Sequence, residues 1–278
     1  MLHELPGAVR AEGGKGLVTS ALLRRLAAEY ETAAFLEDDP SRFMHLASGA
    51  KAREAAAFAA AALSFGSRPV FMRKIDELFR LAAGNIDAWT RNGDFEKVFA
   101  ANDGACFYRF FTRGDMHGFF SRYREILREH GSLGALVRES LGGSSDGAAA
   151  AAAIVAAFGG RCKPIPKSAA SACKRICMFL RWMVRDGSPV DLGLWSDFID
   201  KRTLPAPLDV HAMRQAKRLG LLRGRHPSMK TAMELSSALR RAFPGDPLKG
   251  DFALFGYGVN APRGERGRAG REASPRGG

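Results

Sequence analysis

Apolar residues recur at three- and four-residue steps along most of this chain, and no alternating apolar–polar run bounded by turn signals competes with them. That periodicity predicts an all-α fold, because it gathers apolar groups on one face of a helix and scatters them over both faces of a strand. Residues 19–36 place Leu22, Leu26 and Tyr30 at four-residue steps, and residues 51–65 form an alanine-rich helix carrying Phe58, Leu63 and Phe65. Residues 70–83 set Val70, Ile75, Leu78, Phe79 and Ala82 on or near one face, and residues 115–129 read as a helix capped by Asp115. The run 148–157 is a short buried helix, well under the length of about 20 residues that a membrane span requires. Residues 94–113 are aromatic and mixed, and no strand is assigned to them.

A chain of 278 residues with 46% hydrophobic content can bury a sizeable core. The expected organisation is an N-terminal extension over 1–18, one helical domain over 19–260 and a tail over 261–278. That tail is rich in Gly and Arg and lacks the apolar bulk that would offset the entropy of ordering. No long apolar run and no signal-peptide layout is present, so the expected compartment is the cytoplasm, with no membrane partner. Cys106, Cys162, Cys173 and Cys177 are read as reduced, and the six scattered histidines predict no zinc.

The net charge of +13 is unevenly distributed. Residues 1–160 hold 19 Lys and Arg against 19 Asp and Glu, whereas residues 161–230 hold 15 against 5. The tail adds five against two, so one quarter of the chain and its tail carry the whole excess. Clustering of this kind fits a polyanion-binding surface, although a solvated helical face gives the same count.

Within that quarter, Cys173, Ile176, Cys177, Leu180 and Val184 define one buried helical face over residues 168–185, and Lys174 falls off it. With Ser168 or Ser171 as N-cap, Lys174 lies in the first turns, where the helix dipole disfavours an ammonium and favours a nucleophilic amine. An ordinary surface lysine or a phosphate contact is the other reading. Asp209 stands immediately before a second helix, Val210 to Leu219, ended by Gly220; it is first an N-cap, and a carboxylate kept ionised there can also serve catalysis.

The string Pro207-Leu208-Asp209-Val210-His211-Ala212-Met213-Arg214 resembles the catalytic-aspartate segment of helix-hairpin-helix DNA glycosylases. Ser171-Ala172-Cys173-Lys174-Arg175 similarly resembles the start of their hairpin's second helix, where bifunctional members carry a catalytic lysine. The spacing is nearest to the archaeal 8-oxoguanine DNA glycosylase type, and Asp251 to Gly256 resembles its closing helix. Over roughly residues 20–258 the chain most resembles a little-characterised bacterial family distantly related to these enzymes, through Cys-Lys-Arg, Met-Phe-Leu-Arg-Trp-Met-Val-Arg and Asp-Phe-Ala-Leu-Phe-Gly. The usual hairpin glycines are replaced by Ile165-Pro166-Lys167-Ser168-Ala169-Ala170-Ser171, and no terminal four-cysteine cluster follows, so no iron–sulfur centre or other cofactor is expected.

The resemblance implies a two-lobed helical bundle with its hairpin and catalytic region at about 161–222, acting on damaged double-stranded DNA without an obligate protein partner. The implied reaction is base excision with abasic-site lyase activity, on an oxidised purine such as 8-oxoguanine, through a Schiff base on Lys174 assisted by Asp209. Trp182 and Trp195 are pocket walls under this reading and core residues otherwise; His211 orients Asp209, contacts phosphate or makes a structural hydrogen bond. Lys163, Lys167, Ser168, Ser171, Arg175, Arg181, Arg214 and Arg218 are the expected backbone contacts. A monofunctional glycosylase and a noncatalytic DNA- or RNA-binding module of the same fold are the alternatives.

Overall fold

The computed structural model describes residues 20–260 except Arg161 and Arg225. The extension 1–18 and the basic tail 261–278 therefore lie outside the described residues. The helices are α1 (Ser20–Tyr30), α2 (Arg42–Leu46), α3 (Ala50–Leu63), α4 (Arg68–Leu81) and α5 (Ile86–Asn92), then α6 (Arg113–His130), α7 (Leu133–Leu141) and α8 (Gly147–Phe158). They continue with α9 (Lys174–Val184), α10 (Val210–Arg218), α11 (Met229–Arg240) and α12 (Lys249–Asn260). Between α5 and α6 the aromatic stretch folds into an antiparallel hairpin, β1 (Cys106–Tyr108) and β2 (Phe111–Thr112), which the periodicity did not announce.

Alanine content explains the centre of the fold. Every residue of α3 from Glu54 to Leu63 is buried, because methyl side chains let α2, α5 and α9 approach its axis from several sides. Phe58 is its one aromatic, and the rings of Phe119, Phe158 and Phe179 close around it with centroids 5.2–5.5 Å away. Glu54 is buried on the same helix, where it accepts from the Leu133 and Gly134 amides at 2.9 and 3.1 Å and from the Trp195 indole at 3.0 Å. It thus caps α7 from a distant helix; burial pushes its carboxyl pKa up, against the pull of those three donors.

Two caps differ from the sequence reading. Helix α6 starts earlier, at a Thr112 cap, with the Asp115 carboxylate accepting from the Thr112 amide as the third residue of a capping box. Helix α9 is capped by neither Ser168 nor Ser171. Those serines are engaged in their own turn, Ser171 Oγ donating to the Ser168 carbonyl at 2.8 Å, and Cys173 precedes α9 in the left-handed region at φ 44°. Lys174 becomes the first residue of the helix.

Helix α12 closes the molecule against α1. Gly256 permits the contact, since a Cβ there would meet the Tyr30 ring at 2.3 Å. Helix α12 also packs on α10, so the helix after Asp209 and the last described helix flank the same cleft.

Candidate functional site

The cleft has a volume of about 1130 Å³ and opens between α9, α10, α12, the α3–α4 connection and the segment following α1. Lys174 and Asp209 meet at its wall, with Lys174 Nζ donating to Asp209 Oδ2 at 2.7 Å. The two residues are separated by 35 positions in sequence, and their side chains keep 39% and 31% of their surface, so solvent reaches the pair. Both caps make the meeting local physics. The turn through Cys173 puts Lys174 at the start of α9, and Asp209, at φ −123°, accepts from the Ala212 amide at 2.8 Å as the N-cap of α10. Burial alone would raise the Asp209 carboxyl; the Lys174 ammonium and the Ala212 amide outweigh it and hold it below its ordinary value.

The apolar wall facing the pair is aromatic. Phe35 meets Phe252 and Phe255 edge-on with centroids 5.0 Å apart in each case, and Phe65 lines the cleft from the α3–α4 connection. Sequence reasoning missed Phe35 and Phe65 as wall residues. The available signal was their position beside turn residues, Asp39-Pro40 and Gly66-Ser67, which places aromatics on connections instead of helix faces.

The tryptophans are corrected by the structure. Trp182 is completely buried and Trp195 is 3% exposed, bonded to Glu54 and edge-on to Phe179, and neither lines the cleft. Helix α9 is enclosed almost all round: Phe179, Trp182 and Met183 are buried along with the expected Ile176, Cys177, Leu180 and Val184. Arg181 is corrected as well. It is buried, bonded to Asp251 and 3.3 Å from Asp191, and cannot reach out to a backbone phosphate. Arg175 turns inward, donating to the Ala62 carbonyl with its guanidinium 5.0 Å from the Phe65 ring; burial lowers its pKa to about 10. It is a cleft-wall cation, not an outward contact.

The other expected contacts remain accessible. Lys163, Lys167, Ser168, Ser171 and Arg218 are exposed and Arg214 is half-buried. Lys163 already pairs with Asp115 at 2.9 Å. A bridge between Ser171 and Ser228 joins the approach to α9 with the turn before α11. His211 is exposed at the cleft and sits near enough to lower the Asp209 carboxyl further, while the hydrogen bonds of that carboxylate go to Lys174 and Ala212. All four cysteines are free, and among the described residues no group of three His, Cys, Asp or Glu is arranged to hold a metal. No helix among them is long and apolar enough to cross a membrane. A smaller hollow of about 460 Å³ is lined by Arg138 and Asp197, an exposed ion pair of a guanidinium, which offers no nucleophilic amine.

Residues 39–260, which include every wall of this cleft except Phe35, match a family model described as "Protein of unknown function (DUF2400)". The chain belongs to that family. No curated protein and no solved structure matches it. The family's residues thus span both members of the ion pair, the aromatic corner of α12 and the hairpin.

Proposed function

We propose that this protein is a DNA glycosylase with abasic-site lyase activity, acting through Lys174 and Asp209. The observation that carries the reading is the 2.7 Å ammonium–carboxylate contact at the wall of a cleft large enough for a nucleobase. An amine beside a carboxylate, open to solvent and backed by aromatic rings, has the parts this chemistry requires. The family resemblance of the two strings around these residues supports the same reaction and a two-lobed helical arrangement for the fold.

In this mechanism a nucleotide leaves the DNA stack and its base enters the cleft against Phe35 and Phe255. Asp209 accepts the proton that Lys174 must lose to expose its lone pair. The amine then attacks the sugar C1′, the C1′–N bond breaks, and its electron pair leaves with the base, which takes up a proton. The attached nitrogen gives up one proton and O4′ takes one up as the C1′–O4′ bond opens, which leaves the protonated imine, and loss of a C2′ proton then expels the 3′ phosphate. The lowered pKa keeps Asp209 ionised before it takes the Lys174 proton; once it has returned the proton to the departing base it is a carboxylate again, beside the positive charge of the imine. The aromatic wall suits a flat base such as an oxidised purine. Lys167, Ser168, Ser171, Arg214 and Arg218 are the phosphate contacts in this reading.

Borohydride reduction of the protein with DNA carrying 8-oxoguanine or an abasic site tests the proposal. The expected result is a covalent adduct that Lys174→Gln abolishes. Equal adduct in Lys174→Gln, or none with either substrate, overturns it. Base release without an adduct would indicate the monofunctional reaction, and salt-sensitive binding unaffected by Asp209→Asn would indicate a noncatalytic module.

A further inference from the structure

The described residues expose six large apolar side chains, and Phe110 is the one aromatic among them, 62% exposed at the tip of the β1–β2 hairpin. A singly exposed apolar side chain is ordinary on a protein surface; what sets this ring apart is its rigid seat beside the cleft. The tip is held firmly. Tyr108 donates its hydroxyl hydrogen to the Phe65 carbonyl, Phe110 sits 5.2 Å from the Phe65 ring, and Arg109 adopts a left-handed φ of 54° that only Gly takes freely. Gly66 makes this docking possible: at φ 85° it has no Cβ, which would lie 2.8 Å from the Arg109 guanidinium.

This tip is continuous with the reactive cleft. Phe65 lines the cleft, Arg175 lays its guanidinium over that ring at 5.0 Å, and Lys174 immediately precedes Arg175 on α9. Among the described residues, Arg68, Arg109 and Arg175 contact ring faces and one carbonyl but no carboxylate. Arg109 thus stands beside the projecting ring, while Arg68 and Arg175 sit over rings of the adjoining cleft wall, an arrangement that suits stacked bases followed by a phosphate.

We propose that Phe110 is the wedge of this protein: it enters the base stack of duplex DNA where a nucleotide has moved into the cleft, and Arg109 holds the neighbouring phosphate. The proposal rests on the nucleic-acid reading of the Lys174–Asp209 cleft. An inserted apolar ring replaces the stacking lost on extrusion and prevents the nucleotide from returning.

The test uses a duplex with a tetrahydrofuran abasic analogue beside 2-aminopurine, a probe whose emission rises when it unstacks. The analogue has no leaving base and no aldehyde, so it reports insertion and not chemistry. Wild-type protein should bind this duplex and raise the emission. Phe110→Ala should lose about tenfold in affinity for the duplex relative to the single strand, and lose the emission rise. Phe110→Trp should restore both, and its own emission should be quenched on binding, distinguishable from the buried Trp89, Trp182 and Trp195. Matching melting curves check that this exposed substitution leaves the fold intact. Wild-type affinity and emission in Phe110→Ala overturn the wedge even if borohydride adducts form. Insertion without adducts supports the wedge and removes the lyase reaction. No binding to either strand form overturns both.

Discussion

The two ends of α9 carry the same chemistry in opposite surroundings. At its C-terminal end Arg185 is 1% exposed and bonds to Glu31, Asp191 and Asp246, while Arg181 one turn earlier bonds to Asp251. At its N-terminal end a single pair, Lys174 and Asp209, faces an open cleft. The buried cluster joins the residue after α1, the end of α9, the segment after α9 and the approach to α12, so its charges hold elements together. The open pair has two residues, one further hydrogen bond and room beside it. Desolvated charges removed from their partners are expensive, whereas a solvated pair can separate at little cost. That difference marks the buried cluster as structural and, under the proposed function, the open pair on the same helix as reactive.

Several variants can break or sharpen this contrast. The largest effect is expected from Asp191→Ala, which leaves two buried guanidinium groups short of a carboxylate; it should cost about 3–5 kcal/mol in denaturant unfolding. A loss below about 1 kcal/mol would remove the structural role of that end. Arg185→Lys should also destabilise, by less, because an ammonium cannot reproduce the forked bonds to Asp246. At the open end, Asp209→Ala should lose about 1 kcal/mol with the cap, and Asp209→Asn should retain most of that stability because Asn caps well. Asp209→Asn should nevertheless lower adduct formation by about a hundredfold or more. Lys174→Gln should change stability by less than about 1 kcal/mol.

The smallest expected effect is on pH dependence. The Asp209 carboxyl is lowered in the folded protein, so its contribution is fully present above the ordinary carboxylate range. As pH falls, the unfolded chain takes up its proton first, and that stability is lost down through the lowered value. Asp209→Asn should flatten this part of the stability profile, and an unchanged profile would contradict the ion pair.

Much of the frame was legible in the sequence because it depends on local periodicity. The alanine helix, the Asp209 cap and the displacement of Lys174 from the apolar face all follow from spacing. What could not be read is the partner of each charge. Charge counting placed Arg181 and Arg185 in a basic quarter, yet both neutralise carboxylates, some from outside that quarter, in the interior. Trp182 and Trp195 stand beside the site motifs but turn into the core, since α9 is enclosed on nearly every side. The hairpin escaped notice because its strands are three and two residues long and its turn, Arg109-Phe110, carries no glycine. Its conformation is fixed by docking on Phe65 and Gly66, a tertiary cause.

Peptide mapping of the borohydride-reduced adduct is the most direct measurement of the central claim, because exposed lysines elsewhere can also condense with an abasic site. Mass spectrometry should find the sugar remnant on Lys174, in wild-type protein and, much reduced, in Asp209→Asn. A remnant distributed over Lys163, Lys167 and Lys217 with none on Lys174 would contradict it.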